Sequence, residues 1–340
     1  MRWEPADLLS LLSGCHRADS MKRFAIGVDL GGTNLKLGAI AEDGDLLEHL
    51  ELAADARRGP EVVVGRMCRA ILELRDRWAG RCALAGIGVA VAGIMKLPLG
   101  VVIAAPNLPG WGGFNVRDRV RQELDAPFTL ENDANAAALG EKWMGVAREM
   151  NHLAFLTLGT GIGGGLVLNG QIWHGAKGMA AELGHVNIRP EGRLCNCGNR
   201  GCLEAYASAT AVVRCATELA DSGRASPELE RLVRGEGPLT ADGVYRLARQ
   251  GDESAGLAFQ EMGAALGIAI AGFIHIFDLE AVVLGGGAIE AWDAFQEPMF
   301  EEARRRSFVQ RADPRPILRS GLGSRAGIYG AARLGFQGGH

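Results

Sequence analysis

One pattern occurs twice in the chain, 129 residues apart, and it points to a duplicated α/β architecture. In the first copy, the apolar run Phe24-Ala-Ile-Gly-Val-Asp29 enters the turn Leu30-Gly-Gly-Thr33, and Leu35-Lys-Leu-Gly-Ala-Ile40 returns. In the second, Leu153-Ala-Phe-Leu-Thr-Leu158 enters Gly159-Thr-Gly-Ile-Gly-Gly-Gly165, and Leu166-Val-Leu168 returns. Apolar runs on either side of glycines read as hairpins. The shift places Gly32 on Gly161 and superimposes both apolar runs, which suggests two similar halves. Helical spacing of Val62, Val63, Met67, Ile71, Leu72 and Leu74 predicts a helix over 61–78. Leu84–Ala92 reads as a strand, and Ala134–Met144 as the helix closing the first unit. Thr240 opens a helix, an Ala/Gly-rich helix follows from about Ser254 to Phe277, and Glu280–Leu284 is a strand ending in Gly285-Gly-Gly287. Ser324–Leu334 reads as the last helix.

Length implies about two domains, with 48% hydrophobic and 22% charged residues to build ordinary cores. Glycine, 49 of 340, is about twice its usual ~7% share, and its clustering excludes collagen-like and linker readings. A net charge of −4 argues against an electrostatic grip on nucleic acid or anionic membrane. The apolar stretch Ala264–Phe277 falls short of the ~20 residues of a membrane span and suits a buried helix. Residues 1–20 contain no signal-peptide pattern and read as an N-terminal extension before Met21. Seven cysteines, some tightly clustered, favour metal over disulfides and a reducing cytoplasm.

Three constellations carry chemistry. In Asp29-Leu-Gly-Gly-Thr33, backbone N–H groups can face phosphate oxygens while Asp29 holds a hydrated Mg²⁺. Gly159–Gly165 offers the same physics, and an ordinary glycine hairpin is the alternative for either turn alone. Neither turn is followed by the Gly-Lys-Ser/Thr of a Walker loop, and no dinucleotide fingerprint is present. His185 with Cys195, Cys197 and Cys202 offers one imidazole and three thiolates for tetrahedral zinc. Four protein ligands leave no open position, so that zinc would be structural; reduced cysteines without metal are the alternative. In Glu131-Asn-Asp-Ala-Asn135, Asp133 can accept a hydroxyl proton, or Asn132 and Asp133 cap a helix. A helix N-terminus lowers an acid's pKa, which would weaken Asp133 as a base.

Together these residues resemble the ROK family of repressors, open reading frames and sugar kinases, from Ala25 to Leu334. The most specific match is Glu182-Leu-Gly-His185 followed by Cys195-x-Cys-Gly-x-x-Gly-Cys202-Leu-Glu204. The resemblance implies the actin-like/hexokinase (ribonuclease H-like) α/β fold, with two domains around a cleft. It would divide the chain into residues 21–131, with a C-terminal helix of about 324–340 packing back, and 132–323 carrying the zinc motif. It implies Asp133 as catalytic base on a sugar 6-hydroxyl, with Asn107, Asn132, Glu182, His185 and Glu204 as hexose ligands. It places ATP phosphates on Gly31, Gly32, Thr33, Asn34 and Lys36 and on Gly159, Thr160, Gly161, Gly163 and Gly164. Asp29 would position Mg²⁺, and Gly285, Gly286 and Gly287 would serve the adenosine side. His185 would bind zinc through one ring nitrogen and sugar through the other.

The implied activity is ATP-dependent phosphorylation of a hexose at the 6-hydroxyl, glucose first, by a cytoplasmic homodimer. Ala137-Ala-Leu-Gly-Glu-Lys-Trp143 resembles the glucose-specific members. The alternatives are an N-acetylglucosamine, N-acetylmannosamine or fructose kinase. A sugar-sensing regulator is the reading from another class, against which stand Asp133 and an N-terminal extension too short for a winged helix. Val91-Ala-Gly-Ile94 departs from the Gly-Pro-Gly-like turn of many members, so the sugar-side loop is expected to differ in shape.

Overall fold

The computed structural model describes residues 21–338 apart from Pro106. The expected N-terminal extension therefore lies outside the described residues. The first half runs β1 (Arg23–Leu30), β2 (Asn34–Ala41), β3 (Leu46–Ala53), α1 (Pro60–Trp78), β4 (Ala83–Val91), the small hairpin β5 (Ile94–Lys96) and β6 (Val101–Ala104), α2 (Val116–Arg121) and β7 (Phe128–Asn132). Helix α3 (Asp133–Met144) then leads into the second half. There follow β8 (Leu153–Leu158), β9 (Ile162–Leu168), β10 (Gln171–Ile172), the short α4 (Glu204–Ala207), α5 (Ala209–Asp221), α6 (Pro227–Arg234), α7 (Ala241–Arg249) and α8 (Glu253–Phe277). The chain ends with β11 (Ala281–Gly285), α9 (Trp292–Arg306), α10 (Phe308–Ala312), β12 (Ile317–Arg319) and α11 (Ala326–Gln337).

The duplication read from the glycine hairpins extends to the whole topology. The two five-stranded sheets have orders β3-β2-β1-β4-β7 and β10-β9-β8-β11-β12. In each, an antiparallel hairpin is continued by parallel strands: β1 pairs with β4 and β4 with β7, as β8 pairs with β11 and β11 with β12. Functional groups therefore gather at the carboxyl ends of β1, β4, β7 and β8, where open α/β sheets bind ligands.

One turn is shorter than expected. Gly163, Gly164 and Gly165 lie inside β9, not in the turn, which is confined to 159–161. A Cβ on Gly165 would overlap the Ala134 carbonyl, and one on Gly164 the Ala181 carbonyl. Their small size serves close packing of the strand against α3 and the 181–183 segment.

Much of the glycine excess has this cause. Helix α11 lies with its backbone directly on β1 and β4, where side chains on Gly27, Gly86 or Gly88 would collide with its carbonyls. It crosses α3 equally closely, Gly330 against Ala136 and Gly140 against Ala326. Helix α8 is long and apolar enough to cross a membrane by composition, but it packs along α9 and α5 within the second core.

Candidate active site

The strand-to-helix junction after β7 forms the floor of the site. Asn132 is the N-cap of α3: its Oδ1 accepts hydrogen bonds from the N–H groups of Ala134 (2.9 Å) and Asn135 (3.1 Å). Its Nδ2 donates to the Gly93 carbonyl (3.1 Å) and to Asp133 Oδ1 (3.0 Å). All of its hydrogen-bonding positions are thus engaged, and a sugar hydroxyl reaches it only by displacing one of these partners. Asn132 caps the helix and holds Asp133 in place.

Asp133, the first residue of α3, overturns the expectation drawn from its helix terminus. Burial, reinforced by the charge of Asp29 and opposed by nearby backbone N–H groups, pushes its carboxyl up to about 7. Desolvation outweighs the helix dipole, and a group that titrates near neutrality suits a general base. Asp29, at the end of β1, is likewise raised by burial to about 6, with Lys36 opposing the shift. Lys36 faces it across the β1–β2 register and donates to the Ser324 carbonyl (3.3 Å). Asn34 instead turns outward to Glu51 (2.8 Å).

Each turn packs against a neighbouring segment. Gly32 lies against Asn107, an exposed residue whose carbonyl would overlap a Cβ there. Gly286, with φ +85°, packs against Leu158, so the third glycine cluster adjoins the second turn; Gly285 is buried at the end of β11 and Gly287 is open. Within that turn Gly159 N–H bonds the Gly161 carbonyl (2.9 Å), and Thr210 Oγ1 donates to the Thr160 carbonyl (2.7 Å).

Glu204 joins this turn to the cysteine cluster. Its Oε2 accepts the Ile162 N–H at 2.9 Å, and its Oε1 accepts from Cys195 Sγ at 3.4 Å. The ligand atoms of His185, Cys195, Cys197 and Cys202 all lie within 4.8 Å of one another. Cys197 and Cys202 sulfurs are 3.7 Å apart, and Cys195 Sγ is 3.7 Å from His185 Nδ1. A tetrahedral zinc with Zn–S of ~2.3 Å requires sulfur edges of about 3.8 Å, so the donor set and its spacing fit that ion. Burial pushes the Cys195 thiol up to about 12, and a bound cation is what would make it a thiolate. His185 Nδ1 faces the sulfurs, which leaves Nε2 for another partner.

Glu182 immediately precedes the turn bearing His185 and is exposed; loss of solvation and the charge of Glu204 still raise its carboxyl, against the effect of His185. The residue before it, Ala181, adopts a left-handed φ of 66°, a strained conformation for alanine. That turn directs the segment over Gly164.

Two glycine turns, an acid near neutrality and a Cys/His cluster agree with the match of residues 25–337 to the ROK family pattern. The chain belongs to the ROK family. Within that family it is 39% identical over 309 residues to the glucokinase of Thermotoga maritima, covering 91% of this chain and 96% of that protein. The structure of the ROK glucokinase from Streptomyces griseus, in complex with glucose and AMPPNP, superimposes with a TM-score of 0.78 at 33% identity. That alignment covers 93% of this chain and 100% of the other. The xylose repressor of Caldicellulosiruptor bescii is 33% identical over 251 residues, 73% of this chain and 62% of the repressor. The fold is accordingly the actin-like/hexokinase α/β fold of ROK proteins.

Glu131 escaped the motif reading as an individual residue. It is 2% exposed; its Oε1 accepts from Asn132 N–H (2.8 Å) and Asn135 Nδ2 (3.0 Å), and its Oε2 meets His174 Nε2 at 2.6 Å. A charged residue next to the end of an apolar, buried parallel strand was the available signal. Arg193 was also silent in sequence: it reaches Glu261 (2.6 Å) and Glu218 (2.5 Å) and anchors the cysteine loop to α8 and α5.

Proposed function

We propose that this ROK protein is an ATP-dependent hexose kinase that phosphorylates glucose at its 6-hydroxyl. The observation that carries the reading is Asp133, half-buried at the carboxyl edge of the first sheet with its carboxyl raised to about 7. The similarity over nearly the full length of a glucokinase supports the same chemistry. In the reaction, Asp133 takes the proton of the sugar hydroxyl as that oxygen bonds the γ-phosphorus of Mg-ATP and ADP departs. Transition-state charge spreads over the phosphoryl oxygens, so positioning and electrostatics dominate. Gly31, Gly32, Thr33 and the 159–161 turn would cradle the phosphates, Gly287 would lie beside the adenosine, and Asp29 would orient Mg²⁺ through water. Asn107, Glu182, His185 and Glu204 would hold sugar hydroxyls.

Zinc on His185, Cys195, Cys197 and Cys202 would hold together the segments that carry Glu182, His185 and Glu204. The two sheets would act as hinged domains, 21–131 with α11 and 132–323, closing on the substrates to exclude water. A cytoplasmic site is supported by six cysteines that are all free among the described residues. A homodimer is supported by the family resemblance and by exposed Ile276 and Phe308, the latter stacked on His275.

The test is ADP release with Mg-ATP against glucose, N-acetylglucosamine, N-acetylmannosamine, mannose and fructose, with Asp133→Asn as control. Turnover on glucose that falls by ~10²–10⁴ in the control supports the reading. Near-normal turnover in that variant refutes the base, and preference for an acetylated sugar or fructose refutes glucose.

A further inference from the structure

A cavity of about 1020 Å³ lies beside β7, with one wall from the 171–178 segment of the second half. Arg117, Arg121 and Lys177 line it, and among the described residues none of the three has a salt-bridge partner. Among the described residues Glu131 is the one lining carboxylate, held by His174 at 2.6 Å, so three cations face a single negative charge. Two buried polar atoms on the same wall, Arg117 Nε and Thr129 Oγ1, have no hydrogen-bond partner. Arg117 Nη2 donates to the Leu97 carbonyl (3.1 Å), which fixes that guanidinium on the cavity wall.

We infer that this cavity binds a phosphate monoester of a small sugar. The dianionic phosphate matches the bidentate guanidinium geometry of the exposed Arg121, with the charges of Arg117 and Lys177 beside it. The volume far exceeds a free phosphate and is that of small-molecule sites. Gln171 and Gln337 offer carboxamides for hydroxyls, while Leu139 and Leu334 face the carbon frame. Binding here goes beyond the phosphoryl-transfer reading and uses none of its residues.

The experiment is titration calorimetry of the full chain with ribose 5-phosphate, with and without saturating glucose and AMPPNP, and with inorganic phosphate in parallel. Expected is one equivalent of ribose 5-phosphate per chain, weakened by added salt and at least tenfold weaker in Arg117→Gln/Arg121→Gln. Should that double variant fail to fold, Lys177→Gln, on an exposed residue, is expected to weaken binding severalfold. No heat at millimolar ribose 5-phosphate, or binding unchanged in the folded variants, overturns the site. Inorganic phosphate binding as tightly as the sugar phosphate overturns the sugar component. Failure of the kinase reading appears separately, as absent glucose turnover in the wild type, and leaves the calorimetry unaffected.

Discussion

Replacing Asp133 by asparagine should stabilise the protein at the same time as it removes the proposed base. The carboxyl titrates near 7 in the fold against an ordinary value of 3.8. Below pH 4 both folded and unfolded chains carry the proton, and this group leaves stability unchanged. Between pH 4 and 7 the folded chain retains a proton that the unfolded chain has released, so wild-type stability falls as pH rises. Above pH 7 the penalty is complete. Three decades of proton affinity at ~1.4 kcal/mol each amount to about 4 kcal/mol. Asp133 keeps some solvent contact, and the resulting screening leaves about 2–4 kcal/mol as the expected gain at pH 8. Asparagine keeps the shape and does not titrate, so the two chains should differ little at pH 4 and widely at pH 8. Thermal and urea unfolding at both pH values measure this, alongside ADP release. A constant difference at the two pH values, or a variant less stable than wild type at pH 8, refutes the desolvation argument and with it the cause assigned to the raised pKa.

Metal analysis of the purified protein should find about one zinc per chain, and Cys197→Ser should lose it together with part of the sugar affinity. A metal-free wild type with full activity contradicts the structural role of the cluster. Gly330→Ala, which thrusts a methyl into the Ala136 carbonyl where α11 crosses α3, should cost at least ~1–3 kcal/mol in urea unfolding, because overpacking forces the helices apart. An unchanged midpoint would show that the crossing can yield. Light scattering at assay concentration should give twice the mass of the chain, and a monomer refutes the dimer.

Most of the topology was legible because it rests on local signals. Continuous apolar runs bounded by glycine mark β1, β2 and β8, and helical spacing marks α1, as an Ala/Gly-rich apolar stretch marks α8, within a residue or two of their ends. Gly163–Gly165 misled because glycine reads as a turn, whereas close packing across a sheet face requires it just as strictly. The Cys/His cluster was legible because His185 and three cysteines fall within eighteen residues, a spacing short enough to keep them close together.

What the sequence determined alone is therefore what depends on neighbours along the chain: the element pattern, the duplication, the metal-binding spacing and the Asn-Asp junction. The tertiary structure decided the chemistry of that junction. Only folding brings Asp29 from β1 beside Asp133, removes both from water and raises the second to about 7 against the pull of its own helix terminus. It also turned Asn132 into a scaffold and joined Glu131 to His174, forty-three residues later. Desolvation and through-space charge depend on what surrounds a group in three dimensions, and no local spacing encodes them.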